Sequence, residues 1–500
     1  MESITSLPKR PKLPIPSNDV DPIDHGNKSM NDLPEPVVHH IFSFLETIDM
    51  IRASAVSTKW RYLWTSMPHL NFDYQAGWLN PLRQEFSSTR VYEKFKDFIN
   101  WVLMAHDKSV NIQSFRLSCL NNDDDRSLYR WIKILAQKHV KELHLKVKSY
   151  KRGPFALPRY LLAPDSLEIL ELDLQRSVLK IPSDVGFSRL KSLQLVRTQL
   201  LDQNLFHNFI SSCPLLENLR LEGCLFHDFK VLDISLRNLR KLFIDNDMCG
   251  GPFDERLRKC VFKIACPNLG YFHLSDPFAQ NFSWDKIPSL LQTATILPWG
   301  WEDAVLHEEL ANYLLKLLRG VCHAEVLKLA KAVIVPNSFF LMSPQHLYPA
   351  VAQPRCFSTT FYNLKSLKLF TGIDKCYIRS LIYLLKCAPN LQLLSVYIDE
   401  EEYDCDYEWE IPDEAIACLT DHLKMVKLIE VDNSDYELEL IRFLLKNGHV
   451  LEKMSIIWPS DLQRETQMEA IQEIMKFPRS SSNVTVTFSE LKESDYDDVL

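Results

Sequence analysis

Six carboxylates fall within eight positions at Asp399, Glu400, Glu401, Glu402, Asp404 and Asp406. Such a cluster could hold a cation or move protons, yet a solvated acidic loop is the expected outcome. His39 and His40 adjoin inside an amphipathic stretch, where packing or solvation is expected in place of metal binding. The 12 cysteines form no C-x-x-C pair, and those such as Cys213, Cys266 and Cys387 stand inside apolar runs as buried reduced thiols. The chain shows no glycine-rich phosphate loop, no G-x-S-x-G and no H-E-x-x-H. No catalytic residue, metal or cofactor is therefore assigned, and the chain reads as non-enzymatic. Its chemistry is expected to be that of surfaces.

The densest apolar surface lies between Asn31 and Asp73, NDLPEPVVHHIFSFLETIDMIRASAVSTKWRYLWTSMPHLNFD. Leu33-Pro34 opens a first helix whose Val37, Ile41 and Leu45 recur along one face. Thr47 is placed to cap a second helix running to Ser54, with Asp49 in the first turn, where the helix dipole favours an anion. Ser57 is placed to cap a third, striped by Trp60, Leu63, Trp64 and Met67 and stopped by Pro68. So short a unit cannot close a core over all these side chains, so part of the surface should face another chain.

This segment resembles the F-box, the adaptor-binding module of SCF-type ubiquitin ligases, in its plant form. Leu33, Pro34, Glu35, Val37, Val38 and the run His40 to Leu45 stand at the places of the family's opening motif. Asp49, Ile51, Arg52, Ser54, Val56, Ser57 and the run KWRYLW from Lys59 match its second half. Pro36, Glu46 and Ile48 depart from the usual residues, and Pro36 falls in the first helical turn, where a missing N–H costs little. The resemblance implies docking on a Skp-type adaptor and, through it, on a cullin and its RING subunit. Leu33, Pro34, Ile41, Leu45, Trp60, Leu63 and Trp64 are the candidates for the adaptor interface or the module's own core, two roles that sequence does not separate.

Beyond this segment the pattern L-x-x-L-x-L recurs, as VKELHL from Val140, LEILEL from Leu167, LKSLQL from Leu190, LENLRL from Leu216, LRKLFI from Leu239 and LGYFHL from Leu269. It returns from Leu364, Leu391, Leu423 and Leu451, with weaker copies at Ile112, Leu291 and Ala324. Neighbouring clear copies are 23 to 32 residues apart except where a weak or inserted repeat intervenes, a period that marks leucine-rich repeats with a short strand per unit. Helical or irregular returns such as LDQNLFHNFISSCP connect them, and the irregular step with an insertion around Met342 to Thr359 resembles plant F-box repeat proteins. Residues Leu419 to Ile457 resemble the FBD module that ends many of these proteins, through ELELIRFLLKN from Glu437 and VLEKM from Val450. Asp432, Asn433 and Ser434 replace its usual phenylalanine-glycine turn, and NVTVTFSE from Asn483 is expected to add an edge strand.

The expected fold is thus α/β: a three-helix F-box, an irregular solenoid with a curved, mostly parallel sheet and helical returns, and an FBD-type α/β cap. The expected boundaries are a disordered tail at 1–29, the F-box at 30–75, repeats at 76–415, the FBD-like module at 416–489 and an acidic tail at 490–500. Within the tail, Pro8-Lys9-Arg10-Pro11-Lys12 resembles a short nuclear-import signal, although a solvated tail accounts for it as well. A net charge of −8 supplies no basic footprint for nucleic acid, and no apolar run reaches the roughly 18 residues of a membrane span. The chain is expected in the nucleus or the cytoplasm.

In each repeat strand the leucines should point inward and the alternate residues outward. Glu171 and Asp173, Arg220 and Glu222, Lys241, Phe243 and Asp245, and Tyr271 and His273 then form the expected target-binding row, with Phe243 and Tyr271 as its anchors. The function implied is a substrate receptor of an SCF-type ligase. A repeat scaffold without ubiquitin transfer is the alternative. A small-molecule co-receptor is a third reading, opposed by the lack of a visible basic cluster.

Overall fold

A computed structural model describes residues 33–74, 89–121, 126–149, 153–161, 166–183, 186–245, 260–275, 281–297, 307–330, 333, 359–373, 375–398 and 415–492. The acidic run from Asp399 to Asp406, the tail before residue 30, residues 342–358 of the insertion and the last residues of the chain lie outside them.

Helices α1 (Glu35–Ser43) and α2 (Thr47–Ser54) begin the structure. Pro34 precedes α1 and Pro36 lies in its first turn, where both missing N–H groups would have had no helical partner. The residue capping α2 is Glu46, without a side-chain bond, and Thr47 is already helical. Its hydroxyl instead accepts a hydrogen bond from the backbone N–H of Asn71 at 2.8 Å, tying α2 to the first strand. The expected third helix forms as a series of turns ending in a 3-10 helix, Leu63–Ser66. The reason is local: the Ser57 hydroxyl accepts from Lys59 N–H, two residues on, and so closes a tight turn in place of an α-helical cap.

Among the described residues, fifteen strands pair in strict chain order into one parallel sheet. They are β1 (His69–Asp73), β2 (Ser114–Asn121), β3 (Glu142–Ser149), β4 (Ile169–Asp173) and β5 (Ser192–Val196). Next come β6 (Asn218–Glu222), β7 (Lys241–Asp245), β8 (Tyr271–Ser275), β9 (Thr293–Ile296) and β10 (Val326–Ala330). The last are β11 (Ser366–Thr371), β12 (Leu393–Ile398), β13 (Met425–Ile429), β14 (Lys453–Trp458) and β15 (Thr485–Glu490). Each L-x-x-L-x-L copy, the weak ones included, supplies a strand, and NVTVTFSE supplies the last edge. Its first strand grows from the end of the F-box segment itself.

Parallel neighbours need crossovers, and these carry the second layer. Helices α3 (Thr89–Ala105), α4 (Arg126–Gln137), α5 (Gln203–Ser211) and α6 (His307–Gly320) lie in returns. So do α7 (Lys375–Lys386), α8 (Ala417–Asp421), α9 (Asp435–Asn447) and α10 (Arg464–Ile474). Central returns are extended instead: Val231–Ile234, Val261–Ile264 and Asn281–Trp284 pair as a second parallel sheet. The leucines of every strand and the apolar faces of the returns share one continuous core, as stacked units that cannot hide their faces alone must do.

Two ladders repeat along the strand starts. Asn238, Asn268 and Asn390, each just before a repeat's first leucine, donate a side-chain N–H to a carbonyl of the previous unit at 2.8, 2.9 and 2.8 Å. Lys191 with Glu168, Lys365 with Glu325 and Lys424 with Glu452 pair across neighbouring units at 2.7, 2.8 and 3.1 Å. Exposed pairs of this kind contribute little each, so register rests on the leucines and asparagines. The described cysteines are free thiols, and burial pushes Cys266 up to about 11 and Cys418 to about 12. That is the chemistry of inert core residues.

Candidate functional site

The F-box segment presents two faces. Val38 and Phe42 on α1 are buried, and Phe42 meets Trp60 edge-on with ring centroids 6.1 Å apart. Trp64 is 5% exposed and packs on Trp101 of α3, at 5.0 Å. Of the seven candidates for adaptor contact, Trp60 and Trp64 are therefore core residues with almost no surface to give to a partner. Leu33, Leu45 and Leu63 are half-buried, and Pro34 and Ile41 are exposed.

The stripe on the outer side of α1 is Val37, Ile41 and Phe44, exposed by 43%, 42% and 74%. Positions i, i+4 and i+7 fall on one side of a helix, and here that side is apolar and uncovered. Val56 and Tyr62 are exposed as well, at 83% and 71%. In the sequence Phe44 and Val56 stand only as motif positions and nothing singles out Tyr62, because the helical spacing runs along Val37, Ile41 and Leu45 alone. The module is not a free-standing knob. Pro68 O accepts from Gln113 N–H at 2.7 Å, Thr65 O from Asp107 N–H at 2.9 Å, and buried His106 places Nε2 3.0 Å from Met67 O.

On the repeats, strand pairing aligns outward side chains in columns. His144, Glu171, Gln194, Arg220, Phe243 and His273 are consecutive partners across β3 to β8. The expected target-binding row is thus one physical surface, but many of its groups are engaged with one another. His144 Nδ1 lies 2.7 Å from Glu171, and that hydrogen bond holds the Glu171 carboxyl below its ordinary range. Asp173, expected to project, is only 6% exposed, because Arg197 and Gln175 fold over its carboxylate. Arg220 reaches Glu222 through Nε at 2.8 Å and Nη2 at 2.6 Å. Its guanidinium also lies 3.8 Å from the centroid of Phe243, whose other face stacks on His273. Lys241 is exposed, and Asp245 and Tyr271 are half-buried.

Farther along, the same columns hold residues that sequence reading missed. Lys328, Lys368, Ser395 and Lys427 are consecutive central positions of β10 to β13. Beside them Phe370, Tyr397, Ile429 and Ile457 are the last outward positions of β11 to β14. Ile429 and Ile457 form a small apolar cluster with Phe370, Tyr397 and Leu491, apart from the main core. The basic cluster that the sequence did not reveal is therefore present, since residues distant in the chain become neighbours only through the repeat register. Among the described residues no group of histidine, cysteine and carboxylates could hold a metal ion, and no helix is long and apolar enough to cross a membrane.

Comparison with known proteins agrees with this arrangement. The F-box domain family matches residues 30–71, a family described as FBD-associated F-box protein At5g56370, LRR repeats, matches 128–269, and FBD matches 411–456. The chain is similar to the F-box/FBD/LRR-repeat protein At1g13570 of Arabidopsis thaliana, 28% identical with 92% of this chain and 98% of the relative covered. It is similar also to the putative F-box/FBD/LRR-repeat protein At4g03220 of the same plant, 25% identical over 85% and 88% of the two chains. A third relative, F-box/FBD/LRR-repeat protein At3g52680 of Arabidopsis thaliana, is 26% identical over 86% and 85%.

Proposed function

The chain belongs to the plant F-box/FBD/LRR-repeat family, and from that premise we propose that it is the substrate-receptor subunit of an SCF-type ubiquitin ligase. The observation that carries the reading is the uncovered apolar stripe of α1, Val37, Ile41 and Phe44, on a segment whose tryptophans are already used inside. An exposed stripe on so small a module suits a permanent protein partner, and for an F-box that partner is a Skp-type adaptor joined to a cullin and its RING subunit. Leu33, Pro34, Leu45 and Leu63 border the interface.

The repeats then hold a target protein, in the nucleus or the cytoplasm. The chain contributes no reacting group: binding raises the local concentration of target lysines near a charged ubiquitin carrier, and the transfer chemistry belongs to that carrier. The mixed charges and stacked rings between β4 and β8 suit a protein partner.

The test is affinity capture from plant cells under proteasome inhibition. Adaptor and cullin are expected in the eluate of the native chain and absent from that of a Leu33→Ala/Pro34→Ala variant that remains folded by circular dichroism. Capture of a target without any adaptor would favour a repeat scaffold instead.

A further inference from the structure

The exposed side of α3 changes character along its length. Through the first half its outward residues are Arg90, Glu93, Lys94 and Asp97, the charged face of a solvated helix. Past that point they are Trp101, Met104 and Ala105, with Phe98 half-buried one turn before Trp101. Trp101 is 49% exposed and Met104 81%. Among the described residues Trp101 is the one exposed tryptophan. Large apolar side chains gathered on one exposed face mark an interaction surface, and tryptophan concentrates where such surfaces bind most strongly.

The change falls where α3 meets the F-box. The Trp101 ring packs on Trp64, with centroids 5.0 Å apart, and on Phe98 at 6.2 Å. Just past the helix, Asp107 N–H donates to Thr65 O at 2.9 Å, and Thr65 N–H donates in turn to Tyr62 O at 3.1 Å. Tyr62 is itself 71% exposed. The end of α3 therefore continues the apolar surface of the F-box, tied to it by these hydrogen bonds and by the tryptophan pair.

Interface size points the same way. Of the 42 residues from Leu33 to Tyr74, 12 are buried, and the other 30 face every direction. About half of those are available to a partner on any one side, whereas a stable interface takes roughly 20–30 residues from each chain. An adaptor seated on the F-box has to draw on a neighbouring element to reach that size. Packed on Trp64, α3 has the apolar surface to give.

We propose that the adaptor-docking surface runs off the F-box onto the end of α3, where Trp101 and Met104 meet an apolar patch of the Skp-type adaptor. The inference rests on the receptor reading above and enlarges the site through which that partner is held. Since α3 lies in the return between β1 and β2, the adaptor then grips the first repeat as well as the F-box. Target and adaptor are held in a fixed relation by that double grip.

The experiment uses the full chain and a purified Skp-type adaptor, with affinity read by biolayer interferometry and folding by thermal melts. Met104→Glu is the sharper variant, since so exposed a side chain contributes little to the fold. It should weaken adaptor binding at least roughly fivefold, chiefly through faster dissociation, with an unchanged melt. Met104→Leu should bind like the native chain. Trp101→Ala should weaken binding at least roughly tenfold, and its melt reports separately on the lost packing against Trp64. Met468→Glu, at a methionine 59% exposed on α10 beside the last strand, should leave affinity unchanged. Hydrogen exchange gives a reading free of substitution: bound adaptor should slow the amides at the end of α3 together with those of α1. Native affinity in both Met104→Glu and Trp101→Ala, with no added protection of α3, overturns the proposal and leaves the receptor reading standing. Failure of the native chain to bind adaptor overturns both. A native chain that is dimeric by light scattering and monomeric as Met104→Glu would make a second copy the occupant, and overturns the proposal too.

Discussion

The ring of Phe243 lies parallel to the imidazole of His273, with centroids 4.1 Å apart and 10° between their planes. Arg220 covers the opposite face of the phenylalanine. An aromatic that reads in sequence as an open anchor is thus the middle layer of a three-residue stack spanning β6, β7 and β8. Such a stack is rigid before any partner arrives, which lowers the entropy cost of binding on it.

His273 should titrate far below the ordinary histidine value. Burial lowers its pKa first, and Arg220 and Lys328 lower it further, to about 4 from 6.5. The unfolded chain takes up this proton near 6.5 and the folded chain only near 4. Stability from this group is therefore complete above 6.5 and is lost as pH falls toward 4, by roughly 3 kcal/mol. An NMR titration of the histidine ring checks the value. In Phe243→Ala, water reaches one imidazole face and the pKa should move back toward 6.5. A His273 that titrates at 6.5 in the native chain would sink the account.

The repeat strands were legible because alternation of buried leucine with polar residues is a short-range signal repeated many times. Even the weak copies at Ile112, Leu291 and Ala324 form β2, β9 and β10. What sequence could not convey were relations set by register or by local competition. Lys328 and Lys368 lie one strand apart but 40 positions apart in the chain, owing to the inserted segment between them. Asp173 keeps the outward parity of its strand, yet Arg197 of the next unit buries it. His69–Asp73, at the end of the F-box segment and just past Pro68, is too short an alternation to announce a strand. In the F-box, helical spacing located α1, but the division of its apolar residues between Val38/Phe42 inside and Val37/Ile41/Phe44 outside required the packed neighbours.

Core and interface in the F-box should separate by mutation. Trp64→Ala removes a ring that is 5% exposed and packed against Trp101, and should cost about 3–5 kcal/mol in urea unfolding. Ile41→Asp alters a side chain 42% exposed and should change stability by under about 0.5 kcal/mol. Adaptor capture should nevertheless fall at least tenfold in Ile41→Asp, a loss of about 1.4 kcal/mol in affinity. Full capture by that variant would place the adaptor elsewhere.

Gly320, the last residue of α6, admits no side chain. A Cβ built there would lie 1.8 Å from Nε1 of Trp284, in the second sheet. Gly320→Ala must therefore push the indole or the helix aside and should cost about 1–3 kcal/mol. The smaller side chain in Gly320→Ala/Trp284→Leu should recover part of that loss relative to Trp284→Leu alone. Thermal melts of the four proteins form the cycle, and strict additivity would show that the two residues do not press on each other.

The glycine-free turn before α9 makes the final prediction. Asn433 takes a left-handed φ of 73°, a conformation that asparagine tolerates and β-branched residues do not. Ser434 then caps α9 reciprocally: its hydroxyl accepts from Glu437 N–H, and the Glu437 carboxylate accepts from Ser434 N–H at 2.7 Å and Asp432 N–H at 3.1 Å. Glu437 is 2% exposed, and burial raises its pKa, while the Ser434 and Asp432 N–H groups work the other way and support its charge. Ser434→Ala should cost about 1 kcal/mol. Glu437→Ala should cost more, roughly 2 kcal/mol, because the N–H groups of Asp432 and Ser434 both lose their charged acceptor. Asn433→Gly should be nearly neutral and Asn433→Val clearly destabilising. Hydrogen exchange across residues 415–492 locates the damage: faster exchange in α9 and β14 with β4 to β8 unchanged is the expected pattern. Equal melting of Ser434→Ala, Glu437→Ala and the native chain would mean that the cap does not hold this module together.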